Sequence, residues 1–180
     1  MENILSNTGP LISIFQSAST DIIAALFERV IISSACAAEL IRHGWEEELH
    51  RNTTIITQVG LNEQEKLRSM EIAQRIASHP QSRDTNLDNH IGESEVIVLA
   101  ARDEFANHLL LLDELAARAV ALEVGVKISG FAGVLLLAVS EGLLSPEDVR
   151  DRLLLCQQQG THYSDVFIDQ IYRAAKDGES

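Results

Sequence analysis

His108-Leu109-Leu110-Leu111-Leu112-Asp113-Glu114 sets four consecutive leucines directly before two acids. A short, unbroken apolar run with no polar alternation is what a strand buried on both faces looks like. An amphipathic helix lies before it, over 92–105, and a second follows from Glu114 to Glu123, closed by Gly125. Helix, buried strand, helix is the unit of a parallel sheet covered by helices.

The same alternation recurs on both sides of this unit. Ile4 and Leu5 form a short strand over Asn3–Ser6, ended by the turn residues Asn7, Thr8, Gly9 and Pro10. Helices are expected over Leu11–Gln16 and Asp21–Arg29. Val30, Ile31 and Ile32 are β-branched neighbours and predict a second buried strand. Ser33 or Ser34 caps a helix to Arg42, with Gly44 behind it. Thr53–Val59 predicts a strand, Asn62–Ala77 a polar helix and His79–Asn89 a loop. Beyond the leucine run come a strand over Val126–Ser129 and an apolar helix over Phe131–Glu141. Ser145-Pro146-Glu147-Asp148 is a strong helix start, and Ser164 caps the last helix. The fold class is therefore α/β, three-layered, with a central parallel sheet of four or five strands.

The chain has 180 residues, 46% hydrophobic and 23% charged, ordinary values for a globular domain. No uncharged apolar stretch reaches the roughly 18 residues that span a bilayer. The N-terminal residues do not read as a signal peptide. Cys36 and Cys156 are expected as reduced thiols, and the expected location is the cytoplasm. A net charge of −13 opposes generic binding to nucleic acid and suits a basic partner protein.

Oxygen-bearing side chains recur where strands end or helices begin: Asn7, Glu39, Glu93 and Glu95, and Asp113 and Glu114. In an open α/β sheet, ligands bind outside the carboxyl ends of the strands. Oxygen ligands gathered there suit a hard cation such as Mg²⁺. Each residue also has a plainer reading. Glu93 and Glu95 are favoured by a helix dipole whatever else they do, and Asp113 suits a helix cap. Asn7 reads equally as a turn residue and as a weak ligand. Ser6 and Thr8 are candidate phosphate contacts, in a position where Ser and Thr are common. The six histidines show no zinc spacing, and Gly130 and Gly133 do not make a dinucleotide fingerprint.

Five landmarks in order resemble the PIN-domain family, particularly its VapC-like toxin ribonucleases and a related PIN-like branch. They are Ile4-Leu5-Ser6-Asn7-Thr8-Gly9-Pro10-Leu11-Ile12, Ala37-Ala38-Glu39-Leu40, Gly92-Glu93-Ser94-Glu95-Val96-Ile97, Leu110-Leu111-Leu112-Asp113-Glu114, and the run from Ile128 to Ala138. The resemblance implies a PIN-like domain over residues 1–145, with a C-terminal helical extension over 146–180 packed on it. It implies an endoribonuclease using Mg²⁺ or Mn²⁺, a homodimer and a cognate antitoxin. Glu39 matches the family's helical glutamate. Glu95 best matches its third acid, with Glu93 as the neighbouring alternative. Asp113 and Glu114 both lie where the last acid belongs. Metal ligands are thus expected from Asn7, Glu39, Glu93, Glu95 and Asp113, and catalytic acids from Glu39, Glu95, Asp113 and Glu114. The departure is Asn7, which stands where the family has its first aspartate. The alternative is therefore a catalytically degenerate PIN-like protein that binds RNA or a partner without cutting.

Overall fold

The leucine run forms a buried strand beside the central strand of the sheet. A computed structural model describes residues 2–178. Among them, five strands form one parallel sheet in the order β3-β2-β1-β4-β5. The strands are β1 (Glu2–Ser6), β2 (Phe27–Ser33), β3 (Ile56–Val59), β4 (Leu109–Leu111) and β5 (Ile128–Ser129). Ile4, Leu5, Leu110, Leu111 and Leu112 are completely buried. At roughly 1.5–3 kcal/mol for each large apolar side chain removed from water, the β1–β4 pair anchors the core.

Ten α-helices surround the sheet among the described residues. They are α1 (Thr8–Gln16), α2 (Thr20–Leu26), α3 (Ser34–Arg42), α4 (Glu46–Arg51), α5 (Glu63–Ala77), α6 (Ile91–Ala100), α7 (Leu115–Glu123), α8 (Phe131–Ser140), α9 (Pro146–Gln158) and α10 (Asp165–Gly178). Helix α6 packs across β1, β2 and β4 and touches α3, α5 and α7. Helices α1, α8, α9 and α10 form a second group. No single described helix is long and apolar enough to cross a membrane.

The strand order fixes where a ligand can enter. The chain lays down β1, β2 and β3 outward in one direction, then returns to place β4 on the other side of β1. The crevice at that reversal lies beyond the carboxyl ends of β1 and β4. Ser6 pairs with Leu111 there, so Asn7 and Asp113 emerge at the same edge.

Several boundaries differ from the sequence expectation. Helix α1 starts at Thr8 rather than Leu11, because Pro10 sits in its first turn, where a missing N–H leaves no bond unmade. Strand β2 starts at Phe27, which is buried and pairs with Glu2, so the helix expected to Arg29 stops at Leu26. Thr53–Ile55 is a turn, with Asn52 O accepting from the N–H groups of Ile55 and Ile56. The helix expected to Phe105 ends at Ala100 and yields to a 3-10 turn over Asp103–Phe105. Arg102 lies at that break and forks onto both oxygens of Glu65, at 2.8 Å each.

Candidate active site at the β1–β4 crevice

Asn7 ends β1 with extended backbone angles (φ −80°, ψ 175°) and starts α1 without using its side chain as a cap. Its N–H donates to Leu111 O (3.1 Å), which ties it to β4. Its Oδ1 accepts instead from the Cys36 thiol at 3.2 Å, across to α3. The residue is only 6% exposed, so this amide is a fixed part of the crevice floor. Burial pushes the Cys36 thiol up to about 12, so it stays protonated and donates.

Helix α3 begins where Ser33 Oγ accepts from Cys36 N–H. One turn later it carries Glu39, whose Oε2 accepts from Thr8 Oγ1 at 2.6 Å. Thr8 therefore aims Glu39 and has no hydroxyl proton to offer a substrate. Ser6 is 0% exposed and its hydroxyl donates to Asn7 O, which removes it from contact with a phosphate. The expectation that Ser6 and Thr8 touch substrate gives way to two roles in positioning.

Gly92 is what lets these groups meet. A Cβ at that position would lie 3.1 Å from Glu39 Oε2 and 3.2 Å from Asn7 Oδ1. Two oxygens thus converge on the first turn of α6 in space that any side chain would fill. Glu93 follows immediately. Its carboxyl is held above the usual range, first by desolvation and further by the charge of Glu39, with Asn7 and His90 opposing.

Glu93 and Glu95 are two residues apart on one helix, about 200° around its axis, and cannot face the same way. Glu95 Oε2 accepts from Ala35 N–H at 3.0 Å, where it satisfies the free first turn of α3. Glu93 is the acid beside Asn7 and Glu39.

Asp113 and Glu114 divide in the same manner. Glu114 caps α7, its carboxylate accepting from Ala117 N–H. Asp113 lies against Gly9 and Gly130; a Cβ on Gly130 would sit 2.8 Å from its Oδ1. Arg118 Nη1 donates to Leu112 O at 2.7 Å, which brings a cation close by. Asp113 keeps an exposed edge on a hollow of about 210 Å³, shared with Gln81, Arg83, Glu114 and Leu115. Protein walls surround the rest of the carboxyl and push it up to about 6, against a bond from Phe131 N–H and the charge of Arg118. On the other side, Glu39, Gly92, Arg42, His43 and Asn89 border a hollow of about 560 Å³. The segment expected as a loop, His79–Asn89, thus edges both hollows. It is tied through Asp84, whose carboxylate accepts from Asn86 N–H and Asn89 Nδ2.

A family model, that of the PIN domain, matches residues 3–177. The chain belongs to the PIN-domain family. No curated protein matches it significantly. PIN domains have a nuclease-type fold, generally use divalent metal ions and typically bind RNA. Among the described residues of this PIN domain, no three His, Cys, Asp or Glu side chains stand close enough to share one ion. Mg²⁺ asks for less from protein, since it keeps several waters and takes one or two carboxylates. Asn7 Oδ1 and Glu39 Oε2, converging before Gly92 with Glu93 alongside, fit a hard ion of that kind.

The sequence reading did not bring Gly92 or Cys36 into the crevice. Only Gly92 left a signal: glycine inside a helix costs about 1 kcal/mol against alanine, which marks a close approach.

Proposed function

We propose that this PIN-domain protein is a metal-dependent endoribonuclease of the toxin–antitoxin type. The observation that carries the reading is the convergence of Asn7 Oδ1 and Glu39 Oε2 on Gly92, with Glu93 beside them, at the sheet's topological switch point. Asn7, Glu39 and Glu93 would hold Mg²⁺ or Mn²⁺. Such an ion polarises a phosphoryl oxygen and lowers the pKa of a water that attacks in line.

The chain's own groups do the rest. Thr8 fixes the rotamer of Glu39. Asp113, raised to about 6, exchanges a proton near neutrality and suits transfer to or from the reacting oxygens. Asn7 donates an oxygen without a charge, which relieves repulsion between Glu39 and Glu93 but weakens the hold on the ion. The net charge of −13 supports an antitoxin partner with a basic tail. A homodimer and a cytoplasmic location belong to the same reading.

One observation favours a second reading, a PIN domain that binds RNA or a partner without cutting. The Cys36 thiol already satisfies Asn7 Oδ1, so the amide has a resting partner. Calorimetric titration with Mg²⁺ and Mn²⁺, beside Glu39→Gln and Glu93→Gln, separates the two. Millimolar or tighter binding, lost in both variants and accompanied by RNA cleavage, supports the nuclease. Absence of binding to the unaltered protein rules it out and leaves the non-cutting reading.

A further inference from the structure

The two hollows flank the acidic residues, and each holds one arginine. Arg42 lies in the larger, one turn beyond Glu39 on α3, and Arg83 lies in the smaller, beside Asp113. Both are exposed, and neither makes a hydrogen bond or ion pair among the described residues. The chain's cations are mostly engaged: Arg51 with Glu47, Lys66 with Glu63, Arg75 with Glu123 and Arg102 with Glu65. Arg118 and Arg152 are bonded to backbone carbonyls. Four exposed arginines make no bond, ion pair or ring contact among the described residues, Arg42, Arg68, Arg83 and Arg173, and of these only Arg42 and Arg83 line the hollows beside the acids.

An unpaired guanidinium beside an acidic centre is suited to a ligand that brings its own negative charge. It must be charged on both sides of the reacting point, because the arginines occupy separate hollows. It must also be flexible, since Asn7 lies at the bottom of a recess. A single RNA strand meets all three conditions, whereas a duplex presents stiff, paired backbones. Among the residues lining either hollow, His43 has the only ring on which a base could stack. Recognition through phosphate charge rather than base identity follows.

Resting on the nuclease reading above, we propose that Arg42 and Arg83 bind the phosphates that flank the scissile one. The strand then runs from the end of α3, over Gly92 and α1's first turn, to the segment at Gln81–Arg83.

The test is fluorescence anisotropy of a labelled 12-nucleotide single-stranded RNA, in EDTA so that the strand stays intact, at several salt concentrations. Arg42→Ala and Arg83→Ala each weaken binding roughly 3- to 10-fold and lower the salt slope by about 0.7. The double variant lowers the slope by about 1.4. Arg68→Ala and Arg173→Ala, exposed arginines outside both hollows, keep the original affinity. Melting curves show the variants folded, since no bond within the chain is lost. Undiminished binding by both hollow variants overturns the strand path and leaves the nuclease reading in place, as does an equal loss in the two controls. RNA neither bound nor cut by the unaltered protein overturns both.

Discussion

At the scale of single residues, Asn7 decides what the crevice can hold. Replacing it with Asp keeps an oxygen for the Cys36 thiol to donate to but puts a third negative charge beside Glu39 and Glu93, so the metal-free protein should lose about 1–2 kcal/mol through repulsion. The same charge draws Mg²⁺ from its water shell, so affinity should rise at least about tenfold. Melting with and without Mg²⁺, beside calorimetry, checks both; unchanged metal affinity would place the ion elsewhere. Asp113 gives a second prediction, through pH. Its folded pKa, about 6, lies above the 3.8 of an ordinary aspartate, so the fold prefers the protonated carboxyl. Its contribution to stability is present below about pH 4 and is lost as pH rises towards 6. Asp113→Asn should therefore melt higher than the unaltered protein at pH 8 and equally at pH 3.5, while cleavage falls. A variant less stable at pH 8 would show that the Phe131 and Arg118 contacts outweigh burial. The sequence set both members of each pair forward and could not tell their directions apart. Glu93 and Glu95, like Asp113 and Glu114, are close neighbours in the chain, and only side-chain direction shows that Glu95 and Glu114 are taken up by backbone N–H groups of helix first turns.

At the scale of elements, the site depends on the first turn of α6 passing close to α3 and β1. Gly92→Ala tests this against helix propensity. Alanine favours the helix by about 1 kcal/mol, but its Cβ would sit 3.1 Å from Glu39 Oε2 and 3.2 Å from Asn7 Oδ1. Both oxygens must shift by a few tenths of an ångström, into a wall made by Thr8 and Cys36. The melting temperature should hold within a few degrees while Mg²⁺ binding and cleavage fall more than about tenfold. Full metal binding in Gly92→Ala would mean the oxygens do not work together. The elements were legible in the sequence where periodicity and caps agreed, as at Asn62 before α5 and Ser145 before α9, both closed by capping boxes. Elsewhere tertiary pairing overrode local preference. Glu28 and Arg29 read as helix, yet Phe27 is drawn into register with Glu2 and carries them into β2.

At the scale of the whole molecule, the question is whether α9 and α10 are an appendage or part of what holds the crevice. They bury Val149, Leu153, Cys156, Ile168 and Ala175. At roughly 1.5–3 kcal/mol for each of the three larger aliphatic chains, their loss is of the same order as the 5–15 kcal/mol by which a domain is stable. They also grip the far end of α1. Arg152 Nη1 donates to Ser17 O and Ala18 O, and Gln16 and Gln159 exchange bonds from each side-chain amide to the other's carbonyl. Tyr163 OH lies 3.1 Å from Ser13 Oγ. The near end of α1 carries Asn7, Thr8 and Gly9, so a helix released at one end would lose its aim at the other. Truncation after residue 145 should therefore abolish cooperative unfolding. The milder Tyr163→Phe should keep the fold and, if α1 transmits position along its length, weaken Mg²⁺ binding several-fold. A truncated chain that melts cooperatively and binds Mg²⁺ as the full chain does would make the C-terminal helices an appendage after all, with the crevice held by β1, β4 and α6 alone.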